Sequence, residues 1–259
     1  MKQIAAIALI LTSCSQQPAD RDSNQASSNA VVQASTPAAK PFEVEDKTEL
    51  YEFNFSWPAE AVAIPELATR FEAEMAKAKA ELMAGAEEEK AYRAKEGIDF
   101  HPHSSSTAYE TAGQSARLLS LRVDAGGYTG GAHGNYGTAA LLWDRQARKE
   151  IAFADLFAQP ANRDRLLTQR WCDALNKARE EKRGEPVGGG GMFDDCPALD
   201  DIALIPVDSN KDGRFDQLLL VASPYVAGPY AEGSYEVELA VTPDLLAGLK
   251  AEYRPSFAV

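Results

Sequence analysis

Between Leu50 and Trp57 the chain alternates. Tyr51, Phe53, Phe55 and Trp57 fall on one side, and Glu52, Asn54 and Ser56 on the other. A period of two belongs to a strand with one buried face, so residues 50–57 are expected to form one. Pro58 and Pro65 bracket the turn that follows, and then the period changes. Over 66–96, Leu67, Phe71, Met75, Ala78 and Leu82 recur at spacings of three and four in a background of Ala, Glu and Lys. That is the stripe of a long amphipathic helix, whose charges form a solvated face supported by i,i+4 pairs.

From Phe100 the strand pattern returns. Residues 106–113 and 117–123 read as a pair, a Gly-rich turn follows, and 138–144 reads as the next strand. Residues 151–157 lead into a helix over 161–183. The stretch 184–197, with consecutive glycines from Gly188 to Gly191, reads as a mobile loop. Its glycine run lacks the Lys-Ser/Thr ending of a phosphate-binding loop. Three more strands are expected at 202–207, 217–223 and 235–241. Thr242-Pro243-Asp244 then has the form of an N-cap with proline at the first helical position, opening a short helix through 249. Strands in neighbouring runs, joined by short turns, predict an α+β fold: a largely antiparallel β-sheet with one long N-terminal helix and one or two further helices. The ordered region divides at 42–157 and 158–259, two parts expected to pack as one unit.

The chain before the first strand is of another kind. Lys2 precedes the apolar run from Ile4 to Leu11, which is too short to span a bilayer but suits the core of a secretory signal. Leu11-Thr12-Ser13-Cys14 resembles the lipobox of bacterial lipoproteins. The resemblance implies a signal peptide at 1–13, cleavage before Cys14, and lipidation of the Cys14 thiol. Residues 14–41 follow as a tether rich in Ser, Gln, Asn, Ala and Pro. They are too poor in apolar surface to offset the entropy of ordering, and reach on the order of 30 Å from the membrane. Ser15, rather than Asp, after the lipidated cysteine favours the outer membrane.

Lys plus Arg number 26 against 39 Asp plus Glu, a formal charge of −13. That sign repels phosphate backbones and argues against nucleic-acid binding, while it attracts basic partners. With Cys14 lipidated, Cys172 and Cys196 are left as an even pair in an oxidising compartment, which favours a disulfide. Such a bridge would stabilise the fold by about 3.5 kcal/mol on the chain-entropy estimate. Two buried thiols or a metal site are the other readings of the pair.

Tyr128-Thr129-Gly130-Gly131-Ala132-His133-Gly134-Asn135 resembles the "Y-T-G-G-A-H" turn of the domain preceding the catalytic module of the peptidoglycan deacetylase PdaC. The same turn occurs in the extracellular part of the anti-sigma factor RsiV. Leu118 to Leu121 and Asp155-Leu156-Phe157 sit where those families place a strand and a "D-L-F" turn. The stretch from Pro224 to Gly233, which contains Pro229-Tyr230-Ala231-Glu232-Gly233, resembles their second signature, "A-P-Y-A-x-G". The likeness runs over roughly 42–249. No deacetylase module is read in the chain, so the activity of that family is not expected to carry over. In RsiV-like proteins the corresponding domain is a sensor that binds lysozyme, a basic protein. The resemblance therefore implies a binding role for Tyr128, Thr129, Gly130, Gly131, His133, Asn135 and Tyr230.

Catalytic chemistry finds little support. No Gly-x-Ser-x-Gly nucleophile elbow accompanies the Gly-Gly-Ala-His-Gly turn. His101, His103 and His133 are the only histidines, so a metal site built on imidazole would need all three or carboxylate help. The run from Asp208 to Asp216 is sharper. It places oxygens at positions 1, 3, 5 and 9 and Gly213 at position 6, resembling the start of a calcium loop. Asp208, Asn210, Asp212, Arg214 and Asp216 are the candidate calcium residues. However, Leu219 stands where the bidentate Glu belongs, and a plain Asn/Asp/Gly hairpin turn explains the same residues. The composite expectation is an envelope lipoprotein with a non-catalytic binding or sensor domain for a basic protein such as lysozyme. An enzyme or accessory domain acting on cell-wall glycan is the alternative.

Overall fold

The computed structural model describes residues 39–188 and 190–259; the signal segment, Cys14 and nearly all of the tether lie outside them. A six-stranded sheet runs in the order β1 to β6: β1 (Phe42–Lys47), β2 (Tyr51–Trp57), β3 (His103–Gln114), β4 (Leu118–Tyr128), β5 (Asn135–Asp144) and β6 (Lys149–Ile151). Every neighbouring pair is antiparallel except β2–β3. That pair is parallel because the connection returns through a single-turn helix, α1 (Ala59–Val62), and the long α2 (Pro65–Glu96). A second antiparallel sheet holds β7 (Ala203–Val207), β8 (Gln217–Ala222) and β9 (Tyr235–Ala240). Helices α3 (Ala161–Arg183) and α4 (Pro243–Gly248) complete the regular elements. Ala38–Val259 form one compact unit. No described helix is long and apolar enough to cross a membrane.

The α+β reading stands, with one correction: the long helix is not N-terminal. Two strands precede it, because β1 pairs with β2 across the tight turn at Thr48, whose Oγ1 accepts from the Leu50 and Tyr51 amides. The alternation at 51–57 does what its period implies. Tyr51, Phe53, Phe55 and Trp57 are buried and pack with Leu67, Phe71 and Leu82 of α2. Pro at N1 starts α2, and Gly97 in the left-handed region ends it.

Side-chain alternation separates the other layers. On β8, Leu218, Leu220 and Ala222 join the core that holds Trp171 and Leu175 of α3, whereas Val221 and Leu219 face the six-stranded sheet through Ala112 and Ala140. The order is therefore α2, six-stranded sheet, three-stranded sheet, α3. Thr242 caps α4 as expected, its Oγ1 accepting from the Leu245 amide. Cys172 of α3 is disulfide-bonded to Cys196.

Candidate functional site

Strand β4 runs on through Gly126 and Gly127 to Tyr128, so the Gly-rich turn expected earlier narrows to residues 129–134 between β4 and β5. Gly130 adopts φ +89°, which glycine takes without a Cβ penalty. The turn is held from both sides. On one, the Arg93 guanidinium at the end of α2 donates to Gly130 O (2.9 Å) and Asp99 O (3.0 Å) while Nε donates to Glu89 (2.6 Å). On the other, the Tyr230 hydroxyl donates to Gly134 O at 2.7 Å.

Tyr230 belongs to the loop between β8 and β9, and this contact joins the two sequence motifs. The His133 ring stacks on Tyr230 with centroids 4.0 Å apart and planes at 24°. His133 Nδ1 lies 2.8 Å from Gly134 O, so Nδ1 carries the hydrogen. Tyr136 meets Tyr230 edge-on at 5.9 Å, and Tyr225 lies 5.7 Å away on a tilted plane. Tyr136 and Tyr225 remain about half exposed, at 49% and 55%. Four rings thus form an exposed aromatic surface of which sequence reasoning named two.

Tyr225 has φ +70°. A bulky residue in the left-handed region is strained, and such outliers gather at functional sites. The conformation is held by its amide donating to Gly228 O (2.9 Å) and by the Val226 amide donating to Ser223 O (3.0 Å). Ser223 Oγ accepts from the Thr138 amide at 3.0 Å, tying this loop to β5.

The C-terminal end of α3 clamps the same loop. The buried Arg179 donates to Ala227 O, Asp194 O and Asp195 O, so one guanidinium bridges the aromatic loop and the disulfide-bonded segment. Burial pushes its pKa below the usual arginine value, and neighbouring Arg183 adds to the effect. Arg183 and the Tyr235 hydroxyl both donate to the Glu232 carboxylate. Burial acts to raise the pKa of Glu232, yet the hydrogen bonds from Arg183 and Tyr235 outweigh it and hold the carboxyl below its ordinary value. The polar groups here are committed to shaping the loop, while the rings face outward.

The remaining expected residues are placed differently. Tyr128, opposite Ser104 in the β3–β4 register, and Asn135, opposite Gly127 in β4–β5, take no part in the ring contacts. Thr129 faces a cleft beside α2, and Gly131 borders open space.

In the 208–216 loop the carboxylates turn back on their own backbone. Asp208 accepts from the Asp212 and Gly213 amides, and Asn210 Oδ1 also accepts from Asp212. Asp212 accepts from the Arg214 amide and its guanidinium, and Asp216 from Ser209. Among the described residues no group of three or more His, Cys, Asp or Glu side chains is gathered as a metal site.

The fold at this point defines a class: an α+β domain of two antiparallel-dominated sheets with an aromatic surface between two loops. Residues 44–136 match the family described as "Deacetylase PdaC", the resemblance expected from the first motif. Two solved structures described as members of the DUF3298 family are similar. One, from Bacteroides fragilis, has 15% identity and a TM-score of 0.46, the match covering 85% of this chain and 97% of that one. The other, from Pseudomonas aeruginosa, has 16% identity and a TM-score of 0.46, covering 80% and 96%. No curated protein matches the chain.

Proposed function

We propose that this protein is an envelope lipoprotein, anchored through Cys14 and facing the periplasm or exterior, whose folded part is a non-catalytic binding domain for a basic protein. The observation that carries the reading is the convergence of the two motifs: His133 from one and Tyr225 and Tyr230 from the other meet, with Tyr136, in one exposed ring group. Large, rigid aromatic side chains presented at a surface are the residues that dominate binding energy at protein interfaces. The excess of 39 acidic over 26 basic side chains supplies the complementary field for a cationic partner. Lysozyme is the first candidate, on the resemblance to the RsiV sensor domain.

Calorimetric titration with lysozyme at low and physiological salt tests the reading. Affinity should fall as salt screens the rim charges, but specific binding should persist at physiological salt. Loss of all binding at physiological salt would reduce the interaction to non-specific charge attraction. Anchoring is tested separately: Cys14→Ala should abolish lipid labelling and leave an unprocessed precursor, and normal membrane partition of that variant would overturn it.

A further inference from the structure

The cleft that Thr129 faces lies between α2 and the strands it covers. It has a volume of about 650 Å³ and is lined by Leu82, Gly85, Glu81 and Glu88 of the helix and by His103 and Thr129. Two features of its lining call for an explanation. His103 is only 4% exposed, and its Nε2 has no hydrogen-bond partner. Buried polar atoms in folded proteins are almost always paired, so such an atom needs a specific reason. Burial lowers the pKa of this imidazole and Arg93 adds to the effect, while Glu89 opposes it. Burial thus disfavours the imidazolium, and a neutral imidazole offers one nitrogen lone pair as an acceptor.

Gly85 is the second feature. Glycine inside a helix is less favourable than alanine, and it is normally kept where a neighbour approaches closely. Here a Cβ would meet nothing within 4 Å. Packing does not require the glycine; what it preserves is the open space of the cleft.

We propose that this cleft receives a lysine side chain from a partner polypeptide. The methylene stem lies along Leu82 across the gap left at Gly85. The ammonium sits against the carboxylate of Glu88 and displaces the exposed Lys77 from its loose 3.8 Å pair with Glu81, with the His103 ring as a further acceptor. Lysine fits this lining because its long apolar stem ends in a compact head with three donors. The source of the lysine rests on the proposed basic partner, but the chemistry of the cleft stands or falls with a small probe.

The test is NMR titration of the whole protein with Nα-acetyl-lysinamide, with Nα-acetyl-norleucinamide as the probe lacking an ammonium. The lysine probe should shift the His103 and Thr129 resonances with millimolar affinity, and the norleucine probe should not. Gly85→Leu should fill the cleft and abolish the shifts while raising Tm by a few degrees, since leucine is the better helix former. Glu88→Gln should weaken the probe by about three- to fivefold, as expected for an exposed ion pair. No shift at His103, unchanged shifts in Gly85→Leu, or equal binding of the norleucine probe would each overturn the inference. Lysozyme affinity unaltered in Gly85→Leu would confine that failure to the cleft and leave the aromatic site standing.

Discussion

The imidazole of His133 lies flat on the ring of Tyr230, 4.0 Å between centroids, although one sits in the β4–β5 turn and the other between β8 and β9. The stack and the hydrogen bond from the Tyr230 hydroxyl to Gly134 O connect loops carried by different sheets. Tyr230→Phe keeps the ring and removes the bond. It should lower stability by about 0.5–1.5 kcal/mol in urea denaturation, the usual net worth of one such bond. A loss above that range would mean the hydroxyl organises more of the loop than this contact.

Asp144 is the most deeply buried of the carboxylates that bear on the acid limb of stability. Its carboxylate is fully buried and accepts from Arg117 Nε (3.0 Å) and Nη2 (2.9 Å), the Tyr253 hydroxyl (3.0 Å) and the Gln146 and Ala147 amides. Burial alone would raise its pKa. Arg117, the two amides and Tyr253 together overcome that and hold it below the unfolded value of 3.8. A carboxyl that binds its proton more weakly when folded stabilises the native state above the unfolded pKa and loses that contribution as pH falls through the folded one. Unfolding followed from pH 7 downward should therefore show the Asp144 contribution intact to about pH 4 and declining below it. Asp144→Asn should cost about 2–3 kcal/mol at pH 7, discounted for the partial exposure of Arg117, and should flatten the acid limb. An unchanged acid limb would remove Asp144 from this role.

The 208–216 loop offers a direct test of calcium against a plain hairpin turn. Since Asp208 already accepts from two backbone amides, Asp208→Ala should lower Tm by the same amount with millimolar calcium as with chelator. A rise in wild-type Tm on adding calcium, lost in Asp208→Ala, would show that the ion displaces those amides.

Much of the architecture was legible in the chain because period and burial coincide. Tyr51 to Trp57 alternate and are buried in alternation; Leu67, Phe71 and Leu82 recur at helical spacing and face the sheet. Strand β1 was not legible. Glu43, Glu45 and Lys47 point outward, and only Phe42 and Val44 pack against the core, so its apolar signal is half that of β2. His133 and Tyr230 were identified from motifs, but their contact depends on how two sheets stack, which no local pattern encodes. Tyr225 stood inside the second motif without a signal of its own, since nothing in Pro224-Tyr225-Val226 announces a positive φ.

That conformation gives the central claim its sharpest test. Tyr225→Gly removes the exposed ring and relieves left-handed strain of about 1–3 kcal/mol, partly offset by about 0.4–1 kcal/mol from the more flexible unfolded chain. The variant should be as stable as wild type or more so. If the rings are the binding surface, its affinity for lysozyme at physiological salt should fall by about tenfold or more, as for the loss of an interfacial aromatic anchor. Side-by-side calorimetric titration of wild type and Tyr225→Gly decides the matter. Weaker binding by a variant of equal or greater stability is the expected result; identical affinity would contradict the assignment of the aromatic surface as the site.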